Sequence, residues 1–125
     1  MNNPKKYLEM AFREALESPD CVTQSGAVIY HPDLDWITPG YRGLSYELEF
    51  NNYEISLTIK AEQAAIYRSA LLGRKTNGAT MFTCFAPSTD SAIAIVESGI
   101  KEIYTYEPLC DLAIKTEWKT TIEMG

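Results

Sequence analysis

A chain of 125 residues with 46% apolar residues can bury one core and is too short for two, so one domain over 1–125 is expected. A formal net charge of -6 and a pI of about 4.7 disfavour a nucleic-acid polymer as partner, because such binding draws on clustered Lys and Arg. No run of about 18 apolar residues occurs, and the opening MNNPKKYLEMAFREALE has no continuous apolar segment, so neither a membrane span nor export is expected and the cytoplasm is the expected location. Cys21, Cys84 and Cys110 are odd in number and far apart, which suits reduced thiols better than a disulfide framework.

In chain order, Asn3-Pro4 reads as a helix start, with a capping side chain and a ring set at first-turn φ. Leu8, Ala11, Phe12, Ala15 and Leu16 then repeat at helical spacing until Ser18-Pro19-Asp20 stops the run. GAVIYH (26–31) and DWITPGY (35–41), separated by a turn-like HPDLD, predict an antiparallel hairpin, with Pro39 placing the second strand at a sheet edge. YRGLSYELEFNNYEIS (41–56) carries Tyr41, Tyr46, Phe50 and Tyr53 and is expected to be a long loop.

Residues 58–72 are rich in helix formers and end at Gly73, a natural residue just past a helix C-terminus. TMFTCFA (80–86) predicts a buried strand, Pro87-Ser88 opens a helix reaching Ser98, and KEIYTYE (101–107) predicts another strand. The strand-helix-strand steps imply some parallel pairing. His31 on the first hairpin is expected to be an ordinary structural histidine rather than a metal ligand.

The stretches SGAVIYH, PGYRG, KAEQAAIYRSALLG and TCFAPSTDSAIAIVESGIKEIYTYE, in this order, resemble the cytidine and deoxycytidylate deaminase family over roughly residues 4–107. The resemblance implies a three-layer α/β/α fold with a mixed central sheet flanked by helices. After residue 107, PLCDLAIKTEWKTTIEMG reads as a loop and a beginning helix, so the last strand of the family is expected to be missing. The sheet edge so exposed would need cover, and a homo-oligomer is expected.

Family members begin the second helix with H-A-E and the third with P-C-x-x-C, around one zinc ion. Carried over by position, the zinc histidine falls on Lys60, the cysteines on Ser88 and Ser91, and the proton-shuttling glutamate on Glu62. Only the glutamate is kept. Zinc makes hydroxide at neutral pH by lowering the pKa of water from about 15.7 to roughly 7, a shift of roughly 12 kcal/mol at about 1.36 kcal/mol per unit. Acid-base help from one carboxyl is worth about 3 to 5 kcal/mol and cannot replace it.

The expected function is therefore a zinc-free, inactive deaminase-fold protein that binds or sequesters a nucleoside or nucleotide, with no metal and no cofactor. Lys60, Glu62, Ser88, Ser91, Arg42 and Tyr41 are the expected ligand-binding residues, Arg42 standing where the family has a sugar-contacting Asn. Lys60 and Glu62 lie two apart and converge only if Lys60 sits at the irregular start of its helix. Asp90 is expected to offset the helix dipole. The alternatives are an enzyme of altered Lys/Glu chemistry and a structural or regulatory subunit of an oligomer.

Overall fold

The computed structural model describes residues 4–18, 24–43, 45–50, 53–85 and 87–105, with 45–50 and 53–58 described through their backbone. Helix α1 (Pro4–Ala15) precedes strands β1 (Gly26–His31) and β2 (Trp36–Tyr41), then β3 (Ser45–Phe50) and β4 (Tyr53–Thr58). Helix α2 (Ala61–Leu71), β5 (Thr80–Thr83), α3 (Thr89–Glu97) and β6 (Glu102–Thr105) complete the order. The main sheet runs β2-β1-β5-β6, with β1 antiparallel to both neighbours and β5 parallel to β6. Pro39 thus lies on an edge strand, where its missing N–H costs no ladder bond.

Strand alternation divides the core into two layers. Ala27, Ile29, Met81 and Ile103 pack with Ala61 and Ala65 of α2 and Ala92 and Ile95 of α3. Val28, Phe82 and Cys84 pack with Leu8, Ala11 and Ala15 of α1. The α1 side is zipped by stacked rings, Tyr7–Tyr30 at 4.8 Å, Tyr7–Phe82 at 5.0 Å and Phe82–Tyr104 at 5.2 Å between centroids. Such pairs add about 0.5–1.5 kcal/mol each beyond their burial. One helix covers one face and two cover the other, which is the expected three-layer α/β/α arrangement around a mixed sheet.

The expected loop over 41–56 is instead a hairpin, β3 pairing antiparallel with β4 as a separate two-stranded sheet. Its sequence alternates at period two, SYELEF then YEISLT, with Asn51 and Asn52 between. That pattern, with two Asn residues between the two runs, is a hairpin signal in the sequence, which the irregular spacing of the aromatics alone conceals. Three boundaries also move. Helix α2 begins at Ala61 rather than Thr58, because Thr58 completes β4; β5 ends at Thr83, before a bend at Cys84-Phe85; and β6 spans Glu102–Thr105. The Asn3 cap, Cys21, Cys110 and everything expected beyond residue 105, including the missing last strand, lie outside the described residues.

His31 is buried and ties the β1–β2 turn. Its Nδ1 accepts from the amides of Asp33 and Leu34 at 3.3 and 3.1 Å, so the ring proton sits on Nε2, which donates to the Asn77 carbonyl at 2.9 Å.

Gly40 sets the height of α2 above the sheet. A Cβ there would come within 2.7 Å of the Ala61 carbonyl oxygen and closer still to the Ala65 amide. Gly40→Ala is therefore expected to lower stability by about 1–3 kcal/mol, the usual range for overpacking, read as a lower midpoint in a thermal melt.

Candidate functional site

Helices α2 and α3 begin side by side. Lys60 is the N-cap residue of α2, with extended backbone (φ -83°, ψ 155°), so the condition for Lys60 and Glu62 to face one region is met. Its amide donates to Gln63 Oε1 at 3.3 Å, half of a capping box; an ammonium has no lone pair to return the bond. Ser88 caps α3, its Oγ accepting from the Ser91 amide at 3.5 Å, and Ser91 lies one turn on.

Two bonds cross between the helices. Lys60 Nζ donates to Ser88 Oγ at 2.7 Å, and Ser91 Oγ donates to Glu62 Oε2 at 3.2 Å. Lys60 also pairs with Asp90 at 3.8 Å, the ammonium one third exposed and the carboxylate largely exposed. The site thus has two storeys. At the mouth, Ser88 Oγ accepts from both Lys60 and the Ser91 amide, which leaves its own proton free to be donated outward. Beneath, Glu62 and Ser91 are buried.

Burial pushes the Glu62 carboxyl above its usual range. Hydrogen bonds from its own amide and from Ser91, and the charges of Lys60 and Arg42, pull the other way without cancelling it. Cys84 is a buried free thiol pushed up to about 11, chiefly by burial and further by the Glu62 charge.

Arg42 enters through its charge on Glu62, while its backbone is fixed by Arg42 N–H to Ser25 at 3.0 Å and by Ser18 Oγ to the Arg42 carbonyl at 2.6 Å. The Gly43 amide donates to the Ile59 carbonyl at 3.2 Å, which closes the base of the β3–β4 hairpin and ties this loop to the start of α2. Tyr41 joins a different group. Its ring carries the Arg68 guanidinium at 4.6 Å, and Arg68 also bonds the Pro39 carbonyl and pairs with Glu14 of α1 at 3.8 Å. Since Gly40 meets α2, strand alternation assigns Tyr41 to the other face of the sheet. The structure therefore brings together Lys60, Glu62, Ser88 and Ser91, with Arg42 acting at a distance, and does not bring Tyr41 to them.

Asp90, Gln63 and Cys84 were not among the expected site residues. Gln63 could have been found from its spacing three after Lys60; the Asp90 and Cys84 contacts are made across elements and leave no local signal.

Residues 1–107 match the model of the cytidine and deoxycytidylate deaminase zinc-binding region. The chain belongs to this family. Among solved structures it is similar to the dCMP deaminase from the cyanophage S-TIM5 in apo form, with a TM-score of 0.75 at 17% identity over 94% of each chain. The same phage enzyme in complex with dCMP and dUMP gives a TM-score of 0.71 at 16% identity, covering 96% of this chain and 95% of that one. A cytidine deaminase from Burkholderia pseudomallei gives 0.58 at 17% identity over 78% of each chain. At these identities the likeness shows the fold. No curated protein matches the chain significantly in sequence.

The donors present do not fit the zinc ion that the family's region is named for. Zinc sites of this type take imidazole nitrogen and thiolate sulfur, whereas these positions hold an ammonium already bonded to a hydroxyl and a second hydroxyl bonded to a carboxyl. Among the described residues no three His, Cys, Asp or Glu gather to hold a metal.

Two expectations follow. Because folding raises the Glu62 pKa above 4.5, the folded chain holds a proton that the unfolded chain releases. The stability from this group is full below pH 4.5 and is lost as pH rises from there through the raised value. Glu62→Gln keeps an acceptor for Ser91, so thermal melts across a pH series should show a flatter decline and a higher midpoint than the parent at neutral pH. Lys60→His with Ser88→Cys and Ser91→Cys should bind one zinc per chain, with X-ray absorption showing two sulfurs and one nitrogen. A folded triple variant that binds metal no better than the parent would contradict the convergence of these positions.

Proposed function

We propose that this chain is a deaminase-fold protein that works without zinc and holds a small nucleoside or nucleotide without deaminating it. The observation that carries the proposal is the Lys60–Ser88 bond at 2.7 Å, which puts a cation and a hydroxyl donor where a deaminase would need a source of hydroxide. A cation, a serine hydroxyl and two adjacent helix starts suit an anionic oxygen or a carbonyl oxygen. The buried Glu62 beneath them, its pKa raised by burial, can exchange hydrogen bonds with an amino or ring nitrogen of a base. The phage relative crystallised with dCMP and dUMP supports this ligand class. The intended setting is the cytoplasm, as a homo-oligomer acting as a regulator or sequestering protein.

The altered-enzyme alternative needs Lys60 as a base, and its bonds to Asp90 and Ser88 engage it as a cation instead. One observation favours the second reading, a subunit whose site is plugged: Lys60 bonds directly to Ser88 and Ser91 directly to Glu62, so the polar groups of the cluster engage one another.

Thermal-shift screening with free and cyclic nucleotides and nucleosides separates the two readings. A ligand at 100 times its Kd adds about 2.7 kcal/mol, a midpoint shift on the order of 10 °C for a chain of this size. Lys60→Ala is expected to leave the fold intact and weaken the shift. A uniformly null panel favours the plugged subunit, and a shift insensitive to both Lys60→Ala and Arg42→Ala would move the ligand elsewhere. No ammonia is expected from cytidine, deoxycytidine or their monophosphates; turnover abolished by Glu62→Gln would overturn the proposal.

A further inference from the structure

Among the described strands β2 ends the main sheet, and an end strand offers its outward N–H and C=O groups to any further strand. Which groups face outward follows from the ladder with β1. Residues of an antiparallel strand alternate between pairs that exchange both backbone bonds and pairs that exchange none. Pro39, opposite Val28, has no N–H to exchange, and the Arg42 amide bonds back to the Ser25 carbonyl at 3.0 Å. The backbone of 38, 40 and 42 is therefore turned to β1, and that of 37, 39 and 41 is turned outward.

Two arginines meet those outward groups. Arg74 Nη1 donates to the Ile37 carbonyl at 2.8 Å and to Thr38 Oγ1 at 2.9 Å. Arg68 Nη1 donates to the Pro39 carbonyl at 3.3 Å. At positions 37 and 39 both outward carbonyls are thus engaged, and proline removes one of the two amides.

Each guanidinium is held by contacts of its own. Arg68 leaves α2, lies 4.6 Å from the centre of the Tyr41 ring and pairs with Glu14 of α1 at 3.8 Å, so it passes around the strand from one sheet face to the other. Arg74 follows the end of α2, where Gly73 at φ 69° lets its own amide bond Ala70 at 3.1 Å and the Arg74 amide bond Ser69 at 2.8 Å. This turn brings the Arg74 side chain back to the sheet, its guanidinium 5.6 Å from the centre of the Trp36 ring.

We propose that Arg68 and Arg74 close the β2 edge against strand addition by a second copy of this chain. Two copies of one edge strand pair antiparallel about a two-fold axis, each supplying the bonds that the other needs, so β2 is its own best intruder. Its sequence WITPGY carries no charged side chain, and charge is a common defence of an edge strand. Here the charge comes from α2 and the turn after it. A second β2 would have to displace the charge-assisted bonds to both carbonyls and crowd four guanidiniums along one seam. Any oligomer of the chain is then built on another surface.

Arg68→Met with Arg74→Met keeps the apolar stems over their rings and removes the donors. Sedimentation of this full-length double variant is expected to show a concentration-dependent rise to about twice the parent's mass. Adding Ile37→Pro takes away the other outward amide without touching the ladder to β1, and should return the parent's mass. Association that persists with Ile37→Pro is sticking of the new methionines and overturns the proposal. So does a double variant that is folded by far-UV circular dichroism and stays at the parent's mass.

Amide hydrogen exchange gives a second measurement. In the double variant the Ile37 amide should gain protection as concentration rises, while that of Thr38, already in the ladder, should not change. Equal protection of Ile37 in parent and double variant overturns the closure. If the double variant loses its fold, the single variants carry the same measurements. Loss of fold in both singles would make the arginines supports of the strand and overturn the proposal. None of these outcomes depends on whether a nucleotide binds.

Discussion

The close approach of α2 to the edge of the main sheet governs everything at the site. Gly40 on β2 lies under Ala61 and Ala65, and no side chain larger than hydrogen fits between strand and helix there. The small residues Ala61, Ala64 and Ala65 on the buried side of α2 serve the same end. With the helix held low, its first turn lies beside that of α3, and hydrogen bonds of 2.7 and 3.2 Å can pass between them. Hydrogen bonds of this kind weaken steeply with distance, so a helix lifted by the width of one methyl group would lose both.

The electrostatics of the cluster differ from what a charge count suggests. One lysine and one glutamate sum to zero, and the pair could be taken for a buried ion pair. Geometry divides them instead. The ammonium points to Ser88 and to exposed Asp90, while the carboxyl is left with a neutral hydroxyl, its own amide and the more distant charge of Arg42. Burial therefore outweighs attraction at Glu62, and its proton affinity rises although two cations act on it. A nearby cation does not by itself hold a buried carboxyl in its charged form.

The sequence made the body of the fold legible where local and tertiary demands coincide. GAVIYH is apolar enough to be buried on both faces, and Ser88 and Gly99 mark the ends of α3 by chemistry that needs no tertiary knowledge. The left-handed φ of Gly73 (69°) and Gly99 (82°) follows the same logic at the helix ends. The β3–β4 hairpin is hard to see in the aromatics alone because Tyr41, Tyr46, Phe50 and Tyr53 belong to three strands. The alternation emerges only when Leu48, Ile55 and Leu57 are counted with them. The PGYRG stretch places Tyr41 next to Arg42 in sequence, yet neighbours along a strand face opposite ways. Asp90 was read through the helix that carries it, and its ion pair with Lys60 depends on a helix that lies far away in sequence.

The bond from the Gly43 amide to the Ile59 carbonyl gives the chain a modular character. It closes a neck, on whose domain side Arg42 and Lys60 are held regardless of what hangs beyond. Changes of length or residue in the hairpin past that neck leave the anchor points in place, so evolution can reshape the appendage without retuning the cluster.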